Sequence, residues 1–363
     1  MRCALVLALI VLGGQAAAQS GAPATVRPYL WSSERPKSEV GEVNVFRRFS
    51  AERTDAMREF YGDVLGLPVL AETAGGGGRM IRYPVGASEV KLFPVEPSAA
   101  AGTGGAARIE DAAGVRLLTF FFADQAALIE RFAAHGLPAP GFRPATFPAG
   151  ATVRALVQDP AGAWVELIVM PGASVEQLAR FEIGITVNDL AASRAFYAEL
   201  LGLAPQPPVR DDVVGAVKHA FTHGATTINL WSFGAELPRD SETAGMQYIV
   251  WNVAAIDAVV RERGAEIDRP LSAPGQMRTL WLRDPDGVSN YFAEFGGNDN
   301  RPTASNCRQR RCSCRRRRAP RRRATPAPGA AAPTRRRAPS YTGRSPCSAA
   351  LAGGLCAAAR YRR

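Results

Sequence analysis

Apolar residues recur at spacings of three and four in two stretches of the chain. Met57, Phe60, Tyr61, Val64 and Leu65 form one such stripe, and Phe196, Tyr197, Leu200 and Leu201 form the other. These spacings predict amphipathic helices that each bury one face. Gly66 and Gly202 follow immediately, as glycine does where a helix ends. Before each helix lies an alternating, strand-like run, EVNVFRRF (Glu42–Phe49) and FEIGITV (Phe181–Val187). Thus FYGDVLGL (Phe60–Leu67) matches FYAELLGL (Phe196–Leu203) at an offset of 136.

The match continues along the chain. RMIRYPV and EVKLFPV in the first copy correspond to VKHAFT and TTINLWSF in the second. VRLLTFFF (Val115–Phe122) and MQYIVWNV (Met246–Val253) then lead into second amphipathic helices ending at Gly136 and Gly264. Each copy closes with strand, DPxG turn and strand: ALVQDPAGAWVELIV (Ala155–Val169) and LWLRDPDGVSNYFAEF (Leu280–Phe295). In DPxG the proline presets φ and the glycine accepts the positive φ that a tight turn requires. The offset falls to 125 at these turns because the first copy carries longer Gly/Ala loops near Gly75–Gly78 and Ser98–Ala106. Each copy reads as two βαβββ units. The predicted class is α+β, tandem domains at 41–172 and 179–297, with curved mixed sheets forming clefts.

Composition separates this body from its flanks. The net charge of the 363 residues is +11, but residues 301–363 hold 18 Arg and no acidic residue, so the rest carries −7. The basic balance therefore says nothing about the body, and no nucleic-acid partner is expected for it. Cysteines fall at 3, 307, 312, 314, 347 and 356 only. The body thus has no disulfide framework and no thiolate nucleophile. Residues 1–18 read as a cleaved signal peptide, with an apolar run at Ala4–Leu12 and small residues at Ala16–Ala18. That run is too short to span a bilayer, which takes about 20 residues. The expected location is secreted or periplasmic. Residues 19–40 read as a polar, Pro-containing linker. Residues 298–363 have the composition of a disordered segment, and equally that of translation in a shifted reading frame.

FYGDVLGL, FYAELLGL and the two DPxG turns, in register across about Gly41–Gly297, resemble the vicinal oxygen chelate superfamily. Its members include glyoxalase I, extradiol dioxygenases and bleomycin-resistance proteins. The resemblance implies a cleft that combines the first unit of one domain with the second unit of the other, in a monomer with paired domains or in a homodimer. In metal-using members it implies four ligand positions: His or Gln on the first strand, Glu on a middle strand, His opening the second unit, and Glu after DPxG. Imidazole and carboxylate there leave open positions for paired substrate oxygens.

Carried onto this chain, those positions hold few metal ligands. The first copy offers Asn44 or Phe46, then Lys91, Leu117 and Glu166; the second offers Glu182, Asn229, Tyr248 and Tyr291. If the crossed arrangement holds, Glu166, Glu182 and Asn229 meet in one cleft. They could bind a hard divalent cation (Mg, Mn or Ca rather than Zn or Fe), or Glu166 and Glu182 could be ion-paired, with Arg154 or Lys91 as partners. The other cleft, with Lys91, Tyr248 and Tyr291, suits an anionic or aromatic small molecule, and Trp231 is expected in a cleft wall. His219 is a weaker candidate ligand or base. His135 is expected to serve only at its helix terminus. No residue is singled out as catalytic. Three readings stay open: a small-molecule-binding protein without a catalytic metal; a metal-dependent lyase, isomerase or dioxygenase with an altered Glu-based site; and a non-catalytic periplasmic interaction protein.

Overall fold

A computed structural model describes residues 24–30, 42–75, 78–96, 108–145, 148–239, 243–274 and 277–295. The signal peptide and the Arg-rich tail lie outside the described residues. In chain order the first copy contributes β1 (Val43–Ser50), β2 (Leu70–Gly75), β3 (Gly78–Val85), β4 (Ser88–Val95), β5 (Gly114–Phe122), β6 (Arg143–Pro144), β7 (Val153–Gln158) and β8 (Trp164–Val169). The second contributes β9 (Phe181–Thr186), β10 (Ala204–Pro205), β11 (Val209–Asp211), β12 (Ala216–His223), β13 (Thr226–Trp231), β14 (Ala244–Ile249), β15 (Ile267–Arg269), β16 (Met277–Arg283) and β17 (Ser289–Phe295). The helices are α1 (Thr54–Arg58), α2 (Gln125–Ala134), α3 (Val175–Leu178), α4 (Leu190–Arg194) and α5 (Val253–Glu262).

The two copies exchange halves. One sheet runs β15-β16-β17-β14-β1-β4-β3-β2, joining the first unit of copy one to the second unit of copy two. The other runs β10-β12-β13-β9-β5-β8-β7-β6, with β11 beside β12. The seams are antiparallel pairs, β1 with β14 (Asn44 opposite Gln247) and β5 with β9 (Thr119 opposite Glu182). On each strand the side chains alternate between faces. Ile183, Ile185 and Val187 enter the main core, while Glu182 and Gly184 face the other way.

The helical stripes do what their spacing predicts, with one difference. Helices α1 and α4 each continue as a π turn, Glu59–Val64 and Ala195–Leu200. The backbone bonds Leu65 N–H to Phe60 O (2.9 Å) and Leu201 N–H to Phe196 O (3.0 Å) mark the widened turn in both copies. Phe60, Tyr61, Val64 and Leu65 all end up buried, two adjacent pairs that a narrower turn would splay further apart.

The tyrosine of each FY pair then reaches across its own copy to the aspartate of its own DPxG turn. Tyr61 Oη donates to Asp159 Oδ2 (3.0 Å), and Tyr197 Oη donates to Asp284 Oδ2 (2.8 Å). Each aspartate also accepts two backbone N–H groups of its own turn. Asp159 is further paired with the buried Arg47. Burial raises the Asp284 carboxyl to about 7, against the lowering effect of Tyr197 and the turn amides.

The 19–40 segment is not linker throughout. Val26 and Leu30 are buried against the second copy. Val26 N–H donates to Leu200 O (2.9 Å), Trp251 Nε1–H donates to Pro28 O (3.0 Å), and Leu30 bridges Val250. Two buried apolar residues four apart and these hydrogen bonds dock this strap. Among the described residues, no helix is long and apolar enough to cross a membrane.

Removing the Tyr197 hydroxyl leaves Asp284 with backbone donors only, whereas Asp159 keeps Arg47 when Tyr61 loses its hydroxyl. Tyr197→Phe is therefore expected to cost about 1–3 kcal/mol in urea unfolding, and Tyr61→Phe less. Equal losses would contradict the assigned roles.

Candidate functional site

Cross-strand register identifies equivalent positions in the two clefts. In the eight-stranded sheet, Asn44 is opposite Gln247, Gln247 beside Tyr291, and Phe46 beside Lys91. In the nine-stranded sheet, Glu182 is opposite Thr119, Thr119 beside Glu166, and Gly184 beside Asn229. The set Asn44, Lys91, Gln247 and Tyr291 therefore corresponds to Glu182, Asn229, Thr119 and Glu166. Asn44 takes the first-strand position. Phe46 lies two residues further along the same face, where the other cleft has Gly184.

Two expected positions shift. Tyr248 does not face the cleft: it is buried in the core, stacked on Phe292 (5.4 Å), with its hydroxyl donating to Asn290 Oδ1 (3.1 Å). Its neighbour Gln247 faces the cleft instead. Met246, Tyr248 and Val250 are a period-two apolar set in MQYIV, a signal that alternation alone would have read correctly. The register likewise places Thr119, rather than Leu117, at the second-unit position. Leu117 shares that face and packs on Trp231.

The cleft of the nine-stranded sheet is filled. Trp231 is 1% exposed and clusters with Leu117, Val214 and Ala216. A Cβ added at Gly184 would collide with the Trp231 ring and crowd Leu117, so glycine is what admits that indole. Glu166 and Glu182 do approach one another, and cations hold both. Arg154 pairs closely with Glu166 and also reaches Asp211 (3.1 Å). Thr119 Oγ1 donates to Glu166 Oε2 (3.0 Å). Glu182 accepts from Asn229 Nδ2 (2.7 Å), Lys218 Nζ (3.4 Å) and Arg180 (3.4 Å). Burial still drives the Glu166 carboxyl up to about 7, outweighing the pull of Arg154. The carboxylate partners are thus Arg154, Lys218 and Arg180, and Lys91 lies in the other sheet.

These residues do not fit a divalent metal. Asn229 Oδ1 lacks a protein donor, which a cation would satisfy, but Arg154 and Lys218 already occupy the carboxylate charge. Among the described residues, no three His, Cys, Asp or Glu side chains are grouped to hold a metal ion. His219 lies on the same strand face as the core residue Phe221, away from Lys218 and the cleft. Burial, with Arg194 nearby, lowers its pKa. His135 Nδ1 contacts Glu59 Oε1 (2.7 Å) at the end of α2.

The cleft of the eight-stranded sheet is open, with a cavity of about 470 Å³. Phe46, Phe93, Trp281, Tyr291 and Phe295 supply aromatic wall. Trp281 and Tyr291 stack face to face at 4.1 Å, and Phe46 lies 5.8 Å from Tyr291. A Cβ at Gly245 would come within 2.6 Å of the Phe46 ring, so Gly245 is what lets Phe46 lie down on the sheet. Arg48, Arg82, Lys91 and Arg269 bring positive charge to the same cavity, and the Arg269 guanidinium sits 4.6 Å above the Trp281 ring.

Lys91 forms the polar floor. Glu89 N–H donates to Asn44 Oδ1 (2.9 Å), which turns Asn44 Nδ2 toward Gln247 Oε1 (2.9 Å). Lys91 Nζ donates to the same Gln247 oxygen and lies 3.6 Å from Glu89 Oε2. Glu89, a further carboxylate on β4, stands beside this cleft, and Arg82 grips it with two bonds of 2.6 and 3.0 Å. With Oε1 committed, the Gln247 amide presents its N–H donors to the cavity. Burial, reinforced by Arg82, lowers the Lys91 ammonium to about 8 against the pull of Glu89. Burial and Glu89 raise the Tyr291 phenol. An ammonium, two carboxamides and a protonated phenol are no ligand set for a metal cation; they suit an anion.

Comparison with known proteins agrees with this architecture. Maize (Zea mays) glyoxalase I is similar over 70% of this chain and 92% of its own, at 18% identity and a TM-score of 0.53. A putative dioxygenase from Bacillus subtilis subsp. subtilis str. 168 is similar over 72% of this chain and 87% of its own, at 12% identity and a TM-score of 0.52. These likenesses concern the fold. A protein of Escherichia coli (strain K12), described as "Uncharacterized protein YaeR", is 30% identical over 113 residues, covering 29% of this chain and 88% of that protein. The family model described as "Glyoxalase/Bleomycin resistance protein/Dioxygenase superfamily" matches residues 48–167 and 178–292, one segment per copy. The chain is therefore a two-copy member of the glyoxalase/bleomycin resistance protein/dioxygenase superfamily.

Proposed function

We propose that this protein binds a small, flat, anionic aromatic molecule in the cleft of the eight-stranded sheet, without a metal, and that the filled cleft is structural. One observation carries the reading: Lys91, Asn44, Gln247 and Tyr291 occupy the four cleft positions beneath an open aromatic cavity. A ring would lie against Phe46, Trp281 and Tyr291, where aromatic contacts contribute about 0.5–1.5 kcal/mol beyond area burial. Its anionic group would accept from Lys91 and the Gln247 amide, with Arg48, Arg82 and Arg269 adding to the attraction. The apolar run and small-residue cleavage site at residues 1–18 support action after export.

A Glu166/Glu182 metal centre is the competing reading. After chelation and reloading with Mg²⁺, Mn²⁺, Ca²⁺, Zn²⁺ or Fe²⁺, elemental analysis is expected to find no stoichiometric metal. One equivalent, lost in the Glu166→Ala/Glu182→Ala variant, would overturn the proposal.

The pH dependence of binding has a definite sign. The carboxylate needs the Lys91 ammonium, so calorimetric affinity for a benzene dicarboxylate is expected to fall above pH 8, by about tenfold per unit at the limit. Stability moves the other way. Between about 8 and the ordinary 10.5, the unfolded chain holds a proton on Lys91 that the folded chain lacks, so unfolding free energy rises with pH. Lys91→Met should flatten that rise in urea titrations; an unchanged slope would remove Lys91 as its source.

A further inference from the structure

Lysine is rare in this chain. Of 44 basic residues only Lys37, Lys91 and Lys218 are lysines; the rest are arginine. Where charge alone is required, the sequence writes Arg, as at Arg47, Arg154 and Arg180, each paired with a buried carboxylate. Lysine can do one thing arginine cannot: lose its proton and offer a nitrogen lone pair at moderate pH. Lys218 is bonded to Glu182 in the filled cleft. Lys91 stands on the floor of an open cavity.

The surroundings of Lys91 accommodate its neutral amine as well as its ammonium. Its Nζ has two acceptors in reach, the Gln247 oxygen and Glu89 Oε2 at 3.6 Å. An ammonium has three N–H donors, so the third is left for a ligand acceptor or water, whereas a neutral amine uses two donors and keeps its lone pair for the cavity. The charged and titratable groups facing it are Glu89, Arg82 and Tyr291, with Arg48 and Arg269 on the cavity wall. Glu89 favours the ammonium and Arg82 opposes it, and Arg82 also grips Glu89 with two bonds.

We propose that Lys91 is a nucleophilic amine that condenses reversibly with the carbonyl group of an aromatic aldehyde or ketone seated in this cavity. The proposal rests on the binding reading above for the aromatic cavity, with the ring reversed so that its carbonyl meets Lys91 and its anionic group faces Arg48 and Arg269. The Nζ lone pair forms the new N–C bond as the carbonyl π pair moves to oxygen. Both amine protons then leave with that oxygen as water, and a C=N bond remains. No oxidant or reductant is involved in the step. Activation of lysine by a desolvated site with cationic neighbours is an established physical route to such chemistry, and the lowered pKa of Lys91 agrees with it.

The test uses the full chain with 4-formylbenzoate and cyanoborohydride, which reduces the imine to a stable secondary amine. Peptide mapping should find the probe, less one oxygen atom, on Lys91. Labelling at pH 8 should be at least about tenfold faster than at Lys37 or Lys218, because an ordinary lysine is almost wholly protonated there; the α-amino group, which is not, stands outside the comparison. Terephthalate, which has no reducible carbonyl, should bind by calorimetry and suppress the labelling. Lys218→Arg should leave the Lys91 adduct unchanged. Terephthalate binding without a Lys91 adduct would overturn the amine proposal and leave the binding reading standing. Neither binding nor adduct would overturn both, and equal labelling of all three lysines would overturn the amine proposal.

Discussion

The described fold depends on two antiparallel seams, β1 against β14 and β5 against β9. Through them neither copy owns a sheet, and neither copy owns a cleft. Asn44 and Lys91 come from the first copy, Gln247 and Tyr291 from the second, and they form one floor only because Asn44 pairs with Gln247 across the seam. Backbone pairing sets that register, and a slip of one residue would turn every cleft side chain into the core.

Within each copy, the Tyr–Asp bond from the helix to the DPxG turn ties the two halves together. A buried aspartate is costly unless its lone pairs are used, so the bond also specifies where the final hairpin sits. The chain repeats this device, the π turn and the helix-ending glycine in both copies. These are requirements of backbone geometry and buried polarity, and they are shared because the architecture is shared.

The clefts, by contrast, differ because they are where packing is free to differ. In one, Gly184 admits the Trp231 indole and two carboxylates are neutralised by Arg154, Lys218 and Arg180. In the other, Gly245 admits Phe46, which lies flat and leaves volume above it. The same small-residue opening therefore closes one cleft and furnishes the wall of the other. Charge follows: the closed cleft holds paired ions, the open one an excess of cations.

Alternation and spacing alone determined the duplication, the strand order within each copy, the helix stripes, the glycine stops and the hairpins, because those patterns are local and periodic. Glu166 and Glu182 could be placed on cleft faces for the same reason, whereas Lys91 and Tyr291 were placed there by the family resemblance. Tyr248 could not be assigned its face without following the apolar set Met246–Tyr248–Val250, and a shift of one residue along a strand exchanges core for cleft. What only the tertiary structure decided is which cleft is open and which is filled. That outcome depends on where Trp231 and Phe46 come to rest against glycines, and on Arg154 and Lys218 reaching carboxylates on other strands. Those are contacts in three dimensions between residues far apart in the chain, and no periodicity encodes them.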